Sequence, residues 1–349
     1  MQSPITKAAA YALFFAGVCL IIWCNLLTMY PTRLNDRNAT IVDVHVNQSV
    51  VRPHREPSET INVAFVAKYA FRNMKVGRTM TRCLKSILKH TNRTLHLHVL
   101  ADPQSFQRLS RVLYLIGEEA KGKFDVSLYN ITAVEADNKP VIKILRTLFF
   151  TKDVGRYNDD MFFITEIFHR VFNLRRIIFL DLDLQFEVNI GELYDIFRLF
   201  KPQNLIGIGN DLQPQYRKDF AKYRSKHNET DVGSPRPGRQ GFNTGVMLMD
   251  LDKIRGSKLY NGLLGYDALK QLCDKYQFRG MLGHQDFFTL LGMEFPEWFH
   301  VLDCVWNRQL DTGWRNSVGE KIFESYHRCP GRVKVYHGNG NARIPDDDP

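Results

Sequence analysis

Residues 175–186 read RRIIFLDLDLQF, and this stretch carries the clearest chemical signal in the chain. Four apolar residues, Ile177 to Leu180, run straight into Asp181, Leu182 and Asp183. A continuous apolar run of this kind suits a strand buried on both faces, as in a parallel sheet. Ligands of open α/β sheets gather outside the carboxyl ends of the strands, where these two carboxylates fall. In a fully extended strand, side chains two apart point to opposite faces. A turn after Asp181 lets both carboxylates reach one hard cation, Mn2+ or Mg2+, that also holds a diphosphate. A bare D-x-D is more often a strand that happens to end in acidic residues. What precedes and follows it here shifts that balance.

The elements around it follow an α/β rhythm. Ile61–Lys68 reads as a strand, Met74–His90 as a helix with Met80, Leu84 and Leu88 on one face, and Leu95–Leu100 as an alternating strand. Gln104–Glu119 is helical and Phe124–Ile131 strand-like, so strands and helices alternate as in a parallel sheet. Met161–Phe172 is an apolar helix candidate ahead of the D-x-D strand. Gln203–Gly209 and Gly241–Leu251 read as later strands, with helices at about Ser257–Tyr276 and Gln285–Met293. Ser225–Gly241 is polar and rich in glycine and proline, which predicts a surface loop or a mobile active-site loop. Neither G-x-G-x-x-G nor G-x-x-x-x-G-K-[ST] occurs. Without a glycine cradle, a bound diphosphate needs a metal or cationic side chains to offset its charge.

At 349 residues and 44% hydrophobic content, the chain accommodates one large domain or two small ones. Ala8 to Leu27 is an uncharged apolar run of the length that crosses a bilayer. Small residues precede that run, whereas a signal-peptide cleavage site follows one, so an uncleaved anchor is favoured. The expected layout is a cytosolic tail at 1–7, a transmembrane anchor at 8–29, a stem at 30–60 and a catalytic domain at 61–349. Five N-x-S/T sequons follow the anchor, at Asn38, Asn47, Asn92, Asn130 and Asn228. They fit the lumen of the secretory pathway, hence a single-pass type II protein of the endoplasmic reticulum or Golgi. Four cysteines beyond the anchor, Cys83, Cys273, Cys304 and Cys329, allow three full pairings. No C-x-x-C is present, which argues against a zinc ribbon or redox motif. The net charge of +10 is scattered, and a luminal chain does not meet nucleic acid. A nucleoside diphosphate or an acidic lipid surface suits the surplus cations better.

Three further segments accompany Phe179–Asp183: Gly241–Leu248 (GFNTGVML), Gly283–Phe288 (GHQDFF) and Tyr336–Asn339 (YHGN). Together they resemble glycosyltransferase family 8, over Ile61 to about Ile344. Within that family, His284–Trp314, Val333–Asp346, Asp211–Arg217 and Asp274–Gly283 are most similar to members that transfer xylose. The resemblance implies a GT-A fold and a retaining, metal-dependent reaction. It implies transfer of xylose from UDP-xylose, α-1,3, onto the xylose of a Xyl-Glc disaccharide on an EGF-like repeat, as in Notch receptors. Glucosyl or galactosyl transfer is the alternative within the family.

The resemblance also assigns roles. Asp181, Asp183 and His337 are implied metal ligands. Val66, Ala67 and Lys68 match a uridine-binding segment, and Leu182 offers its backbone on the ribose side. Asn243 and Thr244 sit where the family contacts the donor sugar. Gln285 is implied to face the anomeric centre and Asp286 the donor hydroxyls, against the plainer reading of either as a helix cap. Lys218 and Asn339 match acceptor contacts. Trp306 and Trp314 are candidate sugar platforms, with core packing the expected role of one. The resemblance points to a Cys304–Cys329 bridge, since a second cysteine pair of close relatives is replaced by Asp311 and Gly340 here. Two further departures stand out. No lysine follows the terminal His-x-x-Gly, and His284 takes a place that is commonly acidic. A haloacid dehalogenase-type phosphohydrolase also places D-x-D after an apolar strand. In that reading Leu184 is an unusual following residue and His337 has no role. A luminal sugar-binding protein without activity is the second rival.

Overall fold

The computed structural model describes residues 41–44, 60–120, 124–150 and 158–345. The tail, the anchor, most of the stem, and the sequons at Asn38 and Asn47 lie outside the described residues. Among the described residues no helix is long and apolar enough to cross a membrane.

Among the described residues, eleven strands form two sheets. They are β1 (Ile41–Val44), β2 (Ile61–Val66), β3 (Leu95–Ala101), β4 (Phe124–Asn130), β5 (Arg176–Leu180), β6 (Leu184–Phe186), β7 (Ile206–Asn210), β8 (Phe242–Asp250), β9 (Phe299–Leu302), β10 (Arg308–Gln309) and β11 (Val335–His337). The main sheet runs β1-β4-β3-β2-β5-β8-β7-β9, and the small one β10-β11-β6. Strands β2, β3, β4 and β5 pair in parallel, as do β7 and β9. Strand β8 is antiparallel to both neighbours, β5 and β7, so the sheet is mostly but not wholly parallel. This is a GT-A type α/β fold. Strand β1 pairs antiparallel with β4. Those four residues, read from sequence as part of a solvated stem, join the sheet edge instead.

Side-chain alternation explains why the central strands are apolar throughout. Ile178 and Leu180 enter one core, while Ile177 and Phe179 enter the other, on the opposite face of the sheet. Each fully buried side chain of this size contributes about 1.5–3 kcal/mol. The helix Met74–His90 forms as expected: the Asn73 side chain accepts from the Lys75 amide at its start, and Met80, Leu84 and Ile87 face the core.

Two sequence-based expectations differ. Met161–Phe172 is not one helix but two 3-10 turns and a single α turn. Its apolar residues are nearly continuous rather than spaced on one face, and Phe163, Ile164, Ile167 and Phe168 are all buried. Ser257–Tyr276 breaks into Lys258–Leu263 and Tyr266–Lys275, with Gly265 capping the second helix. The Ser225–Gly241 segment is a surface loop as expected, with residues 225–229 exposed and none of it lining the cleft, and its second half is pinned to the body of the domain. Val232 and Gln240 are buried, and the Tyr326 hydroxyl donates to the Gly233 carbonyl at 2.7 Å.

Candidate active site

The chain leaves β5 at Leu180, bends through Leu182 and Asp183, and re-enters extended structure as β6. That bend supplies the turn the two carboxylates need to share a side. Strand β11 then pairs antiparallel with β6, setting His337 opposite Leu184. The register brings the imidazole to the carboxylates: His337 Nε2 lies 3.4 Å from Asp183 Oδ1 and 3.6 Å from Asp181 Oδ2. The backbone holds both approaches. The Asp181 amide donates to the Gly245 carbonyl and the Gly338 amide to the Asp183 carbonyl, each at 2.9 Å.

His337 is buried, whereas Asp181 and Asp183 keep 38% and 39% of their side-chain surface open to the cleft. One atom from each of the three residues lies within 4.8 Å of the others. Two carboxylates and one imidazole suit a hard or borderline divalent cation with places left for other oxygen ligands. The electrostatics fit such an ion. The packed protein around Asp181 pushes its carboxyl up to about 6, with His337 drawing it down and Asp183 pushing it further up. Asp183 stays below the usual carboxylate range, because the hydrogen bond and charge of His337 outweigh burial, with Lys75 adding to them. Burial also opposes charge on His337, yet Asp183, Asp181 and Asp211 raise its proton affinity. Two carboxylates around a buried imidazole favour positive charge at their centre, which a divalent cation would supply in place of a proton.

The cleft has a volume of about 400 Å3 and brings together Asp181, Asp183, Asn243, Thr244, Gln285, His337 and Asn339, with Phe162, Leu282 and His284 on one wall. Asn243 and Thr244 come from the start of β8. Gln285 begins the helix His284–Glu294, entered through Gly283 at φ 64°, where only glycine is unstrained. No side chain caps this helix. Gln285 Oε1 instead accepts from Asn243 Nδ2 at 3.2 Å. Asn339 Oδ1 accepts from the amides of Leu310 and Asp311, fixing the loop after β11. Burial lowers the proton affinity of His284 to about 4, so its ring is neutral against the edges of Phe179 and Phe162.

Other expected residues lie elsewhere. Asp286 is fully buried and does not line the cleft. It accepts from the Tyr216 hydroxyl at 2.8 Å, the Leu282 amide at 2.6 Å and the Met281 amide. Its carboxylate therefore shapes the turn before Gln285 rather than meeting a sugar hydroxyl, and burial pushes it up to about 7. Lys68 does not line the cleft either. Its ammonium is bound by Glu135 at 2.6 Å and Asp159 at 2.8 Å, which hold its proton more tightly than usual against the effect of burial. Val66 ends β2 and Ala67 follows it beside Lys68, and Leu182 packs toward the core at the D-x-D bend. Trp306 is core, not platform: it is 5% exposed, with the Lys334 ammonium 4.4 Å from its ring centroid. Lys218 sits in the short helix Gln215–Asp219, outside the residues lining the cleft. Cys304 and Cys329 are disulfide-bonded, while Cys83 and Cys273 are free and buried.

Sequence reading missed two residues. Lys75, at the start of the first described helix, donates to Asn341 on the cleft rim, placing a cation where the loop after His337 has no lysine. Asn307 lies behind the cleft, between His337 and Asn243. Lys75 looks like a solvated helix lysine, and Asn307 sits in a segment without periodicity, so neither carried a signal.

Comparison with known proteins agrees with this architecture. The Glycosyl transferase family 8 model matches residues 77–342. Xyloside xylosyltransferase 1 of Mus musculus is 42% identical over 272 residues, covering 76% of this chain and 69% of that protein. The Homo sapiens counterpart is 41% identical over 276 residues, covering 78% and 70%. The crystal structure of mouse xyloside xylosyltransferase 1 in its apo form superposes with a TM-score of 0.77 at 38% identity, over 82% of this chain and 100% of that one. Because the family match spans the cleft from the D-x-D bend to the loop after β11, this chain belongs to glycosyltransferase family 8.

Proposed function

We propose that the protein is a retaining xylosyltransferase that moves xylose from UDP-xylose, α-1,3, onto the xylose of Xyl-Glc on EGF-like repeats. The observation that carries the reading is the convergence of Asp181, Asp183 and His337 with Asn243 and Gln285 on one cleft. Xylosyl transfer to a xyloside is supported by likeness to proteins named xyloside xylosyltransferase 1, while the UDP donor and the EGF-repeat acceptor are what the family resemblance implies. Mn2+ is the proposed ion, with Mg2+ the alternative, and a bound ion would neutralise charge growing on the leaving diphosphate.

The side chains divide the work. Asp181, Asp183 and His337 would hold that ion, which would supply positive charge at the diphosphate end of the donor. Asn243 and Gln285, joined by a hydrogen bond, face the sugar. An amide is a poor nucleophile, so Gln285 stabilises developing charge rather than forming a covalent adduct. The acceptor hydroxyl attacks the face that the diphosphate leaves, and a phosphate oxygen takes its proton. The layout of anchor, stem and luminal domain, in the endoplasmic reticulum or Golgi, belongs to the same proposal.

A donor screen tests it. The full-length, detergent-solubilised chain with Mn2+ is offered UDP-xylose, UDP-glucose and UDP-galactose against a Xyl-Glc glycoside. Retention and a new α-1,3 linkage with UDP-xylose are expected. Preference for a hexose donor, or phosphate release without transfer, overturns the reading.

A further inference from the structure

We propose that Asn307 is a positioning residue that sets both halves of the donor site from behind. It holds the ring of His337 with one end of its amide and the side chain of Asn243 with the other. The proposal rests on the metal and donor roles given above. Asn307 is 1% exposed, so it touches neither sugar nor ion itself.

The polarity of the arrangement is fixed by one group that cannot be turned round, the backbone N–H of Gly245. It donates to Asn243 Oδ1 at 3.1 Å. That oxygen also lies 2.9 Å from the Asn307 amide nitrogen, which must therefore be the donor. The other end of Asn307, Oδ1, then faces His337 Nδ1 at 2.9 Å. A carbonyl oxygen only accepts, so Nδ1 carries a proton. Nε2, the nitrogen that faces Asp181 and Asp183, is left to present its lone pair to a cation. At the far end, Asn243 has its oxygen occupied by two donors. Its Nδ2 is thereby turned to Gln285 Oε1, at 3.2 Å. One buried amide thus aligns a metal ligand and, through Asn243, the group beside the anomeric carbon.

This role separates from a merely structural one by two substitutions in the full-length chain. Asn307→Asp keeps an acceptor for His337 Nδ1 but faces Asn243 Oδ1 with a second acceptor. Asn307→Leu removes both contacts. Mn2+ affinity is measured by calorimetry without nucleotide, alongside kcat and KM for UDP-xylose, at about pH 8, where the new carboxylate beside an imidazole stays ionised. For Asn307→Leu, Mn2+ affinity is expected to fall about 10–100-fold, the usual effect of losing a partner behind a metal ligand. For Asn307→Asp, Mn2+ affinity is expected to match or exceed wild type while kcat at saturating Mn2+ falls at least about ten-fold. Equal loss of Mn2+ affinity in both variants overturns the proposal, as does wild-type turnover in Asn307→Asp. If Asn307→Leu fails to fold, Asn307→Asp alone decides, on its split between affinity and turnover. If the wild type binds Mn2+ but transfers no xylose, the affinity arm still tests the His337 contact and the functional reading fails separately. A wild type that binds no Mn2+ overturns the proposal with the reading beneath it.

Discussion

Gly245 faces the imidazole of His337 so closely that a β-carbon there would lie 2.3 Å from Cε1 and 2.6 Å from Nδ1. The same residue gives its carbonyl to the Asp181 amide and its amide to Asn243. One glycine therefore stands where the carboxylate, the imidazole and the sugar-facing amide are all fixed. Its lack of a side chain is a condition of the ligand geometry.

Gly245→Ala is expected to push the His337 ring off the carboxylates while leaving the β5–β8 pairing in place. Mn2+ affinity should fall at least about ten-fold, as it does when ligand orientation is lost. Asp183→Asn, which removes a ligand charge outright, should abolish binding in the same titration. Unchanged Mn2+ affinity in Gly245→Ala would mean that His337 is not held against its site by this contact.

Gln285→Ala should lower kcat and kcat/KM together by about a hundred- to a thousand-fold, or about 2.7–4 kcal/mol, with UDP affinity little changed. A helix cap, by contrast, would cost about 1 kcal/mol of stability and spare turnover. Since no side chain caps this helix, the melting temperature is expected to hold. A lowered melting temperature with near-normal kcat would sink the assignment.

Glu166 offers a pH test that leaves the cleft untouched. It is fully buried, and burial pushes its carboxyl up to about 8, against the hydrogen bond from Thr165. Because its folded-state value lies above the unfolded one, the folded chain holds the proton more tightly. Its contribution to stability is complete below about pH 4 and is lost as pH rises toward 8. Glu166→Gln should therefore be stabilising by up to about 4 kcal/mol near pH 8 and close to neutral near pH 4. Denaturant melts of both proteins across that range read the difference. A difference that does not grow with pH refutes it.

The Cys304–Cys329 bond closes a loop with a sequence separation of 25. It also anchors the turn that carries Trp306 and Asn307. The double Cys→Ser variant should lose about 2–4 kcal/mol of stability. Denaturant melts with and without reductant check this: reductant should lower the wild type to about the level of the variant, and a variant as stable as the oxidised wild type would contradict it.

Much of this was legible in the sequence, for identifiable reasons. Ile177–Leu180 announced a doubly buried strand because both faces of β5 are core. Met74–His90 showed its bounds because Asn73 and a regular apolar stripe mark them. Met161–Phe172 misled because residues buried all round carry no period. Asp286 and Lys68 misled in another way. Both are polar residues beside the site, but partners that are remote in sequence, Tyr216 and Asp159, have claimed them. Trp306 gave no sign of which face it took, and Asn307 is visible only once β10 and β11 lie together.

The small sheet has a consequence for the order in which the protein is made. The main sheet is complete at Leu302, whereas the imidazole arrives with β11. At about 5–20 residues per second, a ribosome delivers His337 on the order of ten seconds after Asp183. A nascent chain halted between the two sheets would have its scaffold and two opposed carboxylates but no third ligand. Capture of an ion by all three side chains would therefore wait until β11 has joined β6.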